Sequence, residues 1–257
     1  MIRLSVQAFS LAKAGNQPEQ YEDAWDDNQE TKRLAIADGA SDAFESRLWA
    51  CSLVQAFVSQ PPAPDATSIE GWLSEPIKAW RAQIQWQKLR WYAAEKARRG
   101  AYATLLGVTF NWPADQMTED VAAVEWQAMA IGDACLFQVR EEQVITRFPI
   151  EQSAEFGTTP ALLSTRPSYN QRSLEKLQLC QGECQLGDLL VLATDALAAW
   201  FLKQLEAGKQ PWQELIGLTP SEDEFARLIE RLRQEKAMRN DDVTLLLAWV
   251  EKDKVRE

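Results

Sequence analysis

Apolar runs that stop on a carboxylate constrain this chain more than any other feature. "LAIADGAS" (residues 34–41) runs into Asp38, followed by Gly39 and two small residues. "AMAIGDAC" ends its run on Asp133 and "LLVLATDA" on Asp195, while "RNDDVTLLLAW" is the mirror image, with Asp241 and Asp242 at the mouth of an apolar run. A single aspartate after a strand is commonly a turn or cap residue. Four ionised carboxylates gathered at sheet ends repel one another and lose hydration, so they need a compensating charge. Histidine is absent from the 257 residues and no lysine lies inside these motifs, which leaves a divalent metal as the natural counter-ion. Oxygen-only ligands select hard cations such as Mg2+ or Mn2+ over zinc or copper.

The missing histidine also excludes His-based triads, HExxH zinc sites and His-mediated acid–base chemistry. A net charge of −11 repels polyanions, so neither nucleic acid nor an anionic membrane surface is expected as the main partner. Cys180 and Cys184 frame "CQGEC", but without a second pair or a histidine they read as strand and turn thiols in a reducing compartment. The opening "MIRLSVQAFSLAKAG" lacks the layout of a signal peptide, and no stretch approaches the ~18 apolar residues of a membrane helix. A cytoplasmic protein is expected. With 46% hydrophobic residues the chain can bury a large core, and residues 1–257 are expected to form a single domain.

Strand candidates are "IRLSVQAF", "RLAIAD", "ATLLGVTFNW", "EWQAMAIGD", "CLFQVR", "QVITRF", "DLLVLATD" and "VTLLLAWV". Glu45 to Ser59 has near-helical apolar spacing and ends before "QPPAPD". Thr67 with Glu70 has capping-box spacing, and Ile69, Leu73, Ile77, Trp80, Ile84 and Trp91 then predict one long amphipathic helix, kinked at Pro76 and closed by "KARRG", with its tryptophans in the core. Ser221 with Glu224 repeats the cap before "FARLIERLRQ". This succession suggests a layered α+β domain with helices outside two sheets.

In its motifs and their order the chain resembles the metal-dependent Ser/Thr protein phosphatases of the 2C type. "YEDAW" is similar to the family's N-E-D, "ADGAS" stands where the family has D-G-H-G-G, and "ATLLGVTF" is similar to its G-S-T-A strand. "GDACLF", "ATDAL" and "NDDVT" resemble its G-D-S-R, S-D-G-hydrophobic and D-N-x-T. The resemblance implies an α-β-β-α sandwich of two antiparallel sheets flanked by helices. It also implies hydrolysis of phosphoserine and phosphothreonine in proteins by a water that two Mg2+ or Mn2+ ions activate, with an opposing Ser/Thr kinase as functional partner. By the same resemblance Asp38 bridges the two metals with the Gly39 carbonyl as a further ligand, and Asp195 and Asp241 complete one shell. Glu22 holds the other ion through water, Asp23 orients or deprotonates the water, and Asp133 serves a third, looser ion.

Three departures stand out. Ala40 replaces the family histidine that protonates the leaving group. Pro18 replaces the arginine that grips phosphate, with Arg47, Arg166 and Arg239 as possible substitutes. Arg239 is favoured by its place two residues before Asp241, although a surface salt bridge is the competing reading. Asp242 stands where the family has asparagine. These departures keep open a second class of function, a phosphatase-like regulatory protein that binds phosphoprotein without turnover. A carboxylate-metal nuclease would need basic groove residues that this acidic chain lacks. Residues 149–170, "PIEQSAEFGTTPALLSTRPSYN", are the expected substrate flap, without a helical pattern of their own.

Overall fold

The computed structural model describes residues 2–111, 123–157, 159–218 and 221–252. The first half of the chain holds β1 (Ile2–Leu11), β2 (Ala24–Asn28), β3 (Arg33–Ala37), α1 (Ser46–Ser59), α2 (Ala66–Trp72), α3 (Ser74–Gln83), α4 (Trp91–Arg99), β4 (Tyr102–Ala103) and β5 (Leu105–Asn111). Next come β6 (Val124–Ile131), β7 (Cys135–Arg140), β8 (Gln143–Phe148), β9 (Leu163–Ser164), α5 (Gln171–Leu174) and β10 (Gln178–Cys184). The chain closes with β11 (Leu189–Ala193), α6 (Asp195–Glu206), α7 (Pro211–Ile216), α8 (Glu222–Gln234) and β12 (Val243–Lys252). Trp112, the expected end of β5, lies outside the described residues.

Two five-stranded antiparallel sheets, ordered β1-β12-β11-β7-β8 and β10-β6-β5-β3-β2, pack face to face. Leu34 and Ile36 of β3 enter the core between the sheets with Leu106, Val108, Leu190, Leu192 and Leu246. The alternate residues Ala35 and Ala37 face outward onto α1 and α3, in a cluster with Trp49, Leu53, Phe57 and Trp80. On the opposite outer face Phe137, Val191 and Leu245 pack under α6 and α8 through Leu197, Phe201 and Ile229. This is the α-β-β-α order expected. Both faces of the central strands are covered, so they read as unbroken apolar runs rather than as alternation.

The long helix predicted over Ile69–Trp91 is instead three separate helices, α2, α3 and α4. Pro76 has no N–H to offer the Trp72 carbonyl, and its ring crowds that group. It therefore sits in the first turn of a new helix, where such a residue is tolerated. Ile84 then turns extended and ends α3. The cap also differs: Asp65, not Thr67, accepts the Ser68 N–H at 2.9 Å. Trp80 is buried as expected, whereas Trp91 is 83% exposed at the start of α4, because the break turns the stripe away from the core. Ser221 does precede α8, but its side chain makes no cap bond there. Cys180 and Cys184 are free thiols within β10. No helix of the described residues is long and apolar enough to cross a membrane.

Gly107 of β5 lies directly under α1, and a Cβ there would stand 2.3 Å from the buried Phe57 ring. Gly107→Ala is expected to lower unfolding free energy by about 1–3 kcal/mol through overpacking, as read by urea denaturation.

Candidate metal and active site

Antiparallel register decides which strand ends share an edge. In the first sheet Cys135, Ala193 and Leu245 lie side by side, so the start of β7, the end of β11 and the start of β12 coincide. Asp133, Asp195 and Asp241 flank those three residues and emerge together. In the second sheet Ala37 pairs with Ala24, while Ile36 pairs with Leu106 and Leu105 with Ile131. Asp38, Asp23, Thr104 and Gly132 thereby gather at one edge of this sheet. Carboxylate oxygens of Asp38, Asp133 and Asp195, one from each, lie within 4.8 Å of one another.

Each residue is locked locally. Asp38 is held by its backbone: its N–H donates to Thr104 Oγ1 at 2.9 Å and its carbonyl accepts from Thr104 N–H at 2.8 Å. Gly39 forms a bridge with Ala103 in which the flanking Asp38 and Ala40 make the hydrogen bonds, leaving the Gly39 carbonyl outside that pairing. A Cβ at Gly39 would stand 2.5 Å from the Glu22 carbonyl oxygen, so the close approach requires glycine. Asp133 follows Gly132, whose φ of +117° makes the sharp β6–β7 turn. Asp195 opens α6, where the positive end of the helix dipole favours a carboxylate.

Burial, then the charges of Asp241 and Asp133, push the Asp38 carboxyl up to about 7, against the opposing influence of Asp23 and Arg239. Burial and the Asp38 charge raise Asp23 well above the usual carboxylate range, and burial also raises Asp133. Among the described residues, Oδ1 of Asp23, of Asp133 and of Asp195 is buried without a hydrogen-bond partner. Buried acceptors of this kind are costly unless something positive meets them. An all-oxygen donor set with spare lone pairs fits a hard divalent cation.

The other residues singled out from the sequence fall in different places. Asp23 accepts a hydrogen bond from Thr244 Oγ1 at 2.8 Å, and because that donation uses the only hydroxyl proton of Thr244, the contacting Tyr21 hydroxyl is the donor to Thr244. Asp241 Oδ1 accepts from the Asp242 N–H at 3.0 Å. Glu22 lies outside the three-carboxylate cluster, accepting from Ser46 Oγ at 2.7 Å and standing 3.7 Å from Lys13 Nζ. Asp242 turns to the backbone, accepting from the N–H groups of Lys13 and Glu22, each at 2.8 Å. It ties the β1–β2 connection to the start of β12, which the extra charge alone did not suggest.

Of the three arginines weighed against Pro18, Arg239 reaches the carboxylates, pairing with Asp195 Oδ2 and, at 3.3 Å, with Asp241 Oδ2. Arg47 donates to the Pro18 carbonyl at 3.4 Å, and Arg166 lies over the Tyr169 ring. Lys13, Tyr21, Ser46 and Thr104 were missed as partners of the site. Lys13 and Ser46 sit at no informative spacing, whereas Tyr21, Thr104 and Thr244 lie within the quoted "YEDAW", "ATLLGVTF" and "NDDVT". Residues 149–170 carry more structure than expected, including β9 and two 3-10 turns, with Thr158 outside the described residues. Their first half helps line a cavity of about 300 Å3 that reaches Asp133. Their second half is anchored where Trp49 Nε1 donates to the Leu163 carbonyl at 2.8 Å.

The family model of protein phosphatase 2C matches residues 13–254, and the chain belongs to that family. The photosystem II phosphatase PBCP is 16% identical, covering 96% of this chain and 99% of its own, with a TM-score of 0.58. Serine/threonine phosphatase Stp1 from Staphylococcus aureus is 18% identical (97% and 96% coverage, TM-score 0.56). The catalytic domain of the serine threonine protein phosphatase PstP, solved with two manganese ions, is 17% identical (98% and 100%, TM-score 0.54). At these identities the likeness establishes the fold. No curated protein matches the chain at a significant level in sequence.

In buffer containing a chelator, the raised Asp38 pKa predicts a definite sign. Between about pH 4, where an unfolded aspartate ionises, and about pH 7, the native state keeps a proton that the unfolded chain has released. This contribution to stability is fully present near pH 4 and is lost as the pH rises through 7. Asp38→Asn removes it, so the melting temperature of the variant relative to wild type should climb across that interval. A constant difference would refute the shift.

Proposed function

We propose that this protein is a Mg2+- or Mn2+-dependent phosphatase acting on phosphoserine and phosphothreonine in proteins, opposing a Ser/Thr kinase in the cytoplasm. The observation that carries the proposal is the trio of Asp38, Asp133 and Asp195, with carboxylate oxygens within 4.8 Å and buried acceptors left unmet. Membership of the family supports a metal-dependent phosphatase, and the family match across residues 13–254 supports a single 2C-like domain over residues 1–257. Serine/threonine specificity is inferred from the names of distant relatives such as PstP and Stp1.

In this reading Asp38 and the Gly39 carbonyl would hold two ions jointly, Asp195 and Asp241 would complete the shell of one, and Glu22 would reach the other through water. Asp133 would serve a third. Divalent ions supply Lewis acidity, a water of lowered pKa and neutralisation of phosphoryl charge. The chain's own part is to position. Asp23, which accepts from Thr244 Oγ1, would orient a water or take its proton, and the Tyr21 hydroxyl donates to that same Thr244 oxygen. Arg239, at the rim with its side chain 47% exposed, is the proposed phosphate-binding cation. Its five N–H donors suit a phosphate better than a lysine would.

The test is Mn2+-dependent hydrolysis of p-nitrophenyl phosphate and of a phosphoserine peptide. Asp38→Asn should abolish both activities while the fold persists; turnover close to wild type at saturating Mn2+ would remove Asp38 from its role. Protein that binds Mn2+ yet cleaves neither substrate would instead support the regulatory reading. Ala40 leaves no acid for a poor alkoxide leaving group, so p-nitrophenyl phosphate should be the better substrate. Ala40→His should raise peptide turnover more than p-nitrophenyl phosphate turnover, with ~10²–10⁴-fold as the ceiling for general acid assistance.

A further inference from the structure

We propose that Arg239 is an internal competitor of the divalent cation: its guanidinium and an ion contend for the same oxygens of Asp195 and Asp241, and ion binding releases the side chain toward phosphate. The release half of this proposal rests on the phosphatase reading above; the competition half does not.

Arg239 bridges carboxylates that belong to different elements, Asp195 at the start of α6 and Asp241 just before β12. A guanidinium can do this because its donors fan out in one plane. The positive charge also bears on Asp38 and on Asp133, where it opposes the upward shift that burial causes in both carboxyls. Arg239 is therefore the counter-charge of the cluster as it stands. Oxygens that accept from its N–H groups cannot at the same time face an ion, and two cations at that range repel.

Exposure shows which partner gives way. The Asp195 side chain is 7% exposed and anchored at the first turn of α6, whereas the Arg239 side chain is 47% exposed. The arginine can move into water; the carboxylate cannot. An ion would also reach what the arginine leaves unmet, since Oδ1 of Asp133 and of Asp195 has no hydrogen-bond partner among the described residues. A displaced Arg239 remains tethered two residues from Asp241, at the rim where phosphate charge would arrive. Ion and phosphate then favour each other's binding, and the coupling is reciprocal.

Calorimetric titration of Mn2+ into the chelator-stripped full chain tests this without any turnover. Arg239→Gln should bind Mn2+ about tenfold more tightly than wild type, because the competitor is gone. Arg231→Gln, which removes the same charge from an exposed pair with Glu214, should leave the affinity unchanged. Arg239→Lys keeps the charge without the fork and should fall between, giving the same sign should the glutamine variant fold poorly. Equal or weaker Mn2+ binding by Arg239→Gln, or equal tightening by Arg231→Gln, overturns the competition. Repeating the titration in inorganic phosphate should tighten Mn2+ binding more in wild type than in Arg239→Gln. An equal effect in both overturns the release, whereas failure to hydrolyse any phosphomonoester bears on the phosphatase reading and leaves the competition standing.

Discussion

Mutual repulsion among buried carboxylates is the constraint around which this molecule is arranged. Asp38, Asp133 and Asp195 stand closer together than ionised groups tolerate without a cation, with Asp23 and Asp241 near enough to bear on Asp38. Such an arrangement persists only where the scaffold holds the groups in place and something positive answers them. Arg239 answers part of the charge through Asp195 and Asp241. The unmet oxygens are left for a harder and more highly charged partner.

The scaffold meets this demand through two sheets packed core to core, each covered outside by helices. Strands buried on both faces cannot slip in register without exposing apolar side chains, so their ends are fixed relative to one another. Polar ties finish the work at the rim. Thr104 clamps the backbone of Asp38, Thr244 and Tyr21 fix Asp23, and Asp242 draws the backbone of Lys13 and Glu22 toward the start of β12. The extra negative charge of Asp242 is thus spent on backbone donors rather than added to the cluster.

The three departures from the family pattern have different physical meanings. Asp242 is structural in this fold. Ala40 has no proton to give, so in the proposed reaction the rate would depend on the leaving group. Pro18 offers no cation for phosphate, and Arg239, paired with Asp195 and Asp241, is the group proposed for that role.

Several features were legible before any coordinates. Continuous apolar runs ending on aspartate marked strands covered on both faces and acidic at one end, because each is a local property of a few residues. The order of the motifs carried the family and its layered fold. Helix continuity past Pro76 was misread, since periodicity registers the apolar stripe but not the hydrogen bond that proline deletes; Trp91 was misplaced with it. The meeting of Asp38, Asp133 and Asp195 was expected, but the other contacts made across the sheets were not legible. Asp195 contacts Arg239, Glu22 turns to Ser46, and Thr244 reaches back to Asp23 across 221 residues. The carboxylates, the apolar runs that deliver them and the lack of any histidine are properties of residue order alone. Which oxygens share a counter-charge and which accept from the backbone depends on the folded arrangement, because strand register and side-chain direction at the sheet ends are settled by packing between segments far apart in the chain.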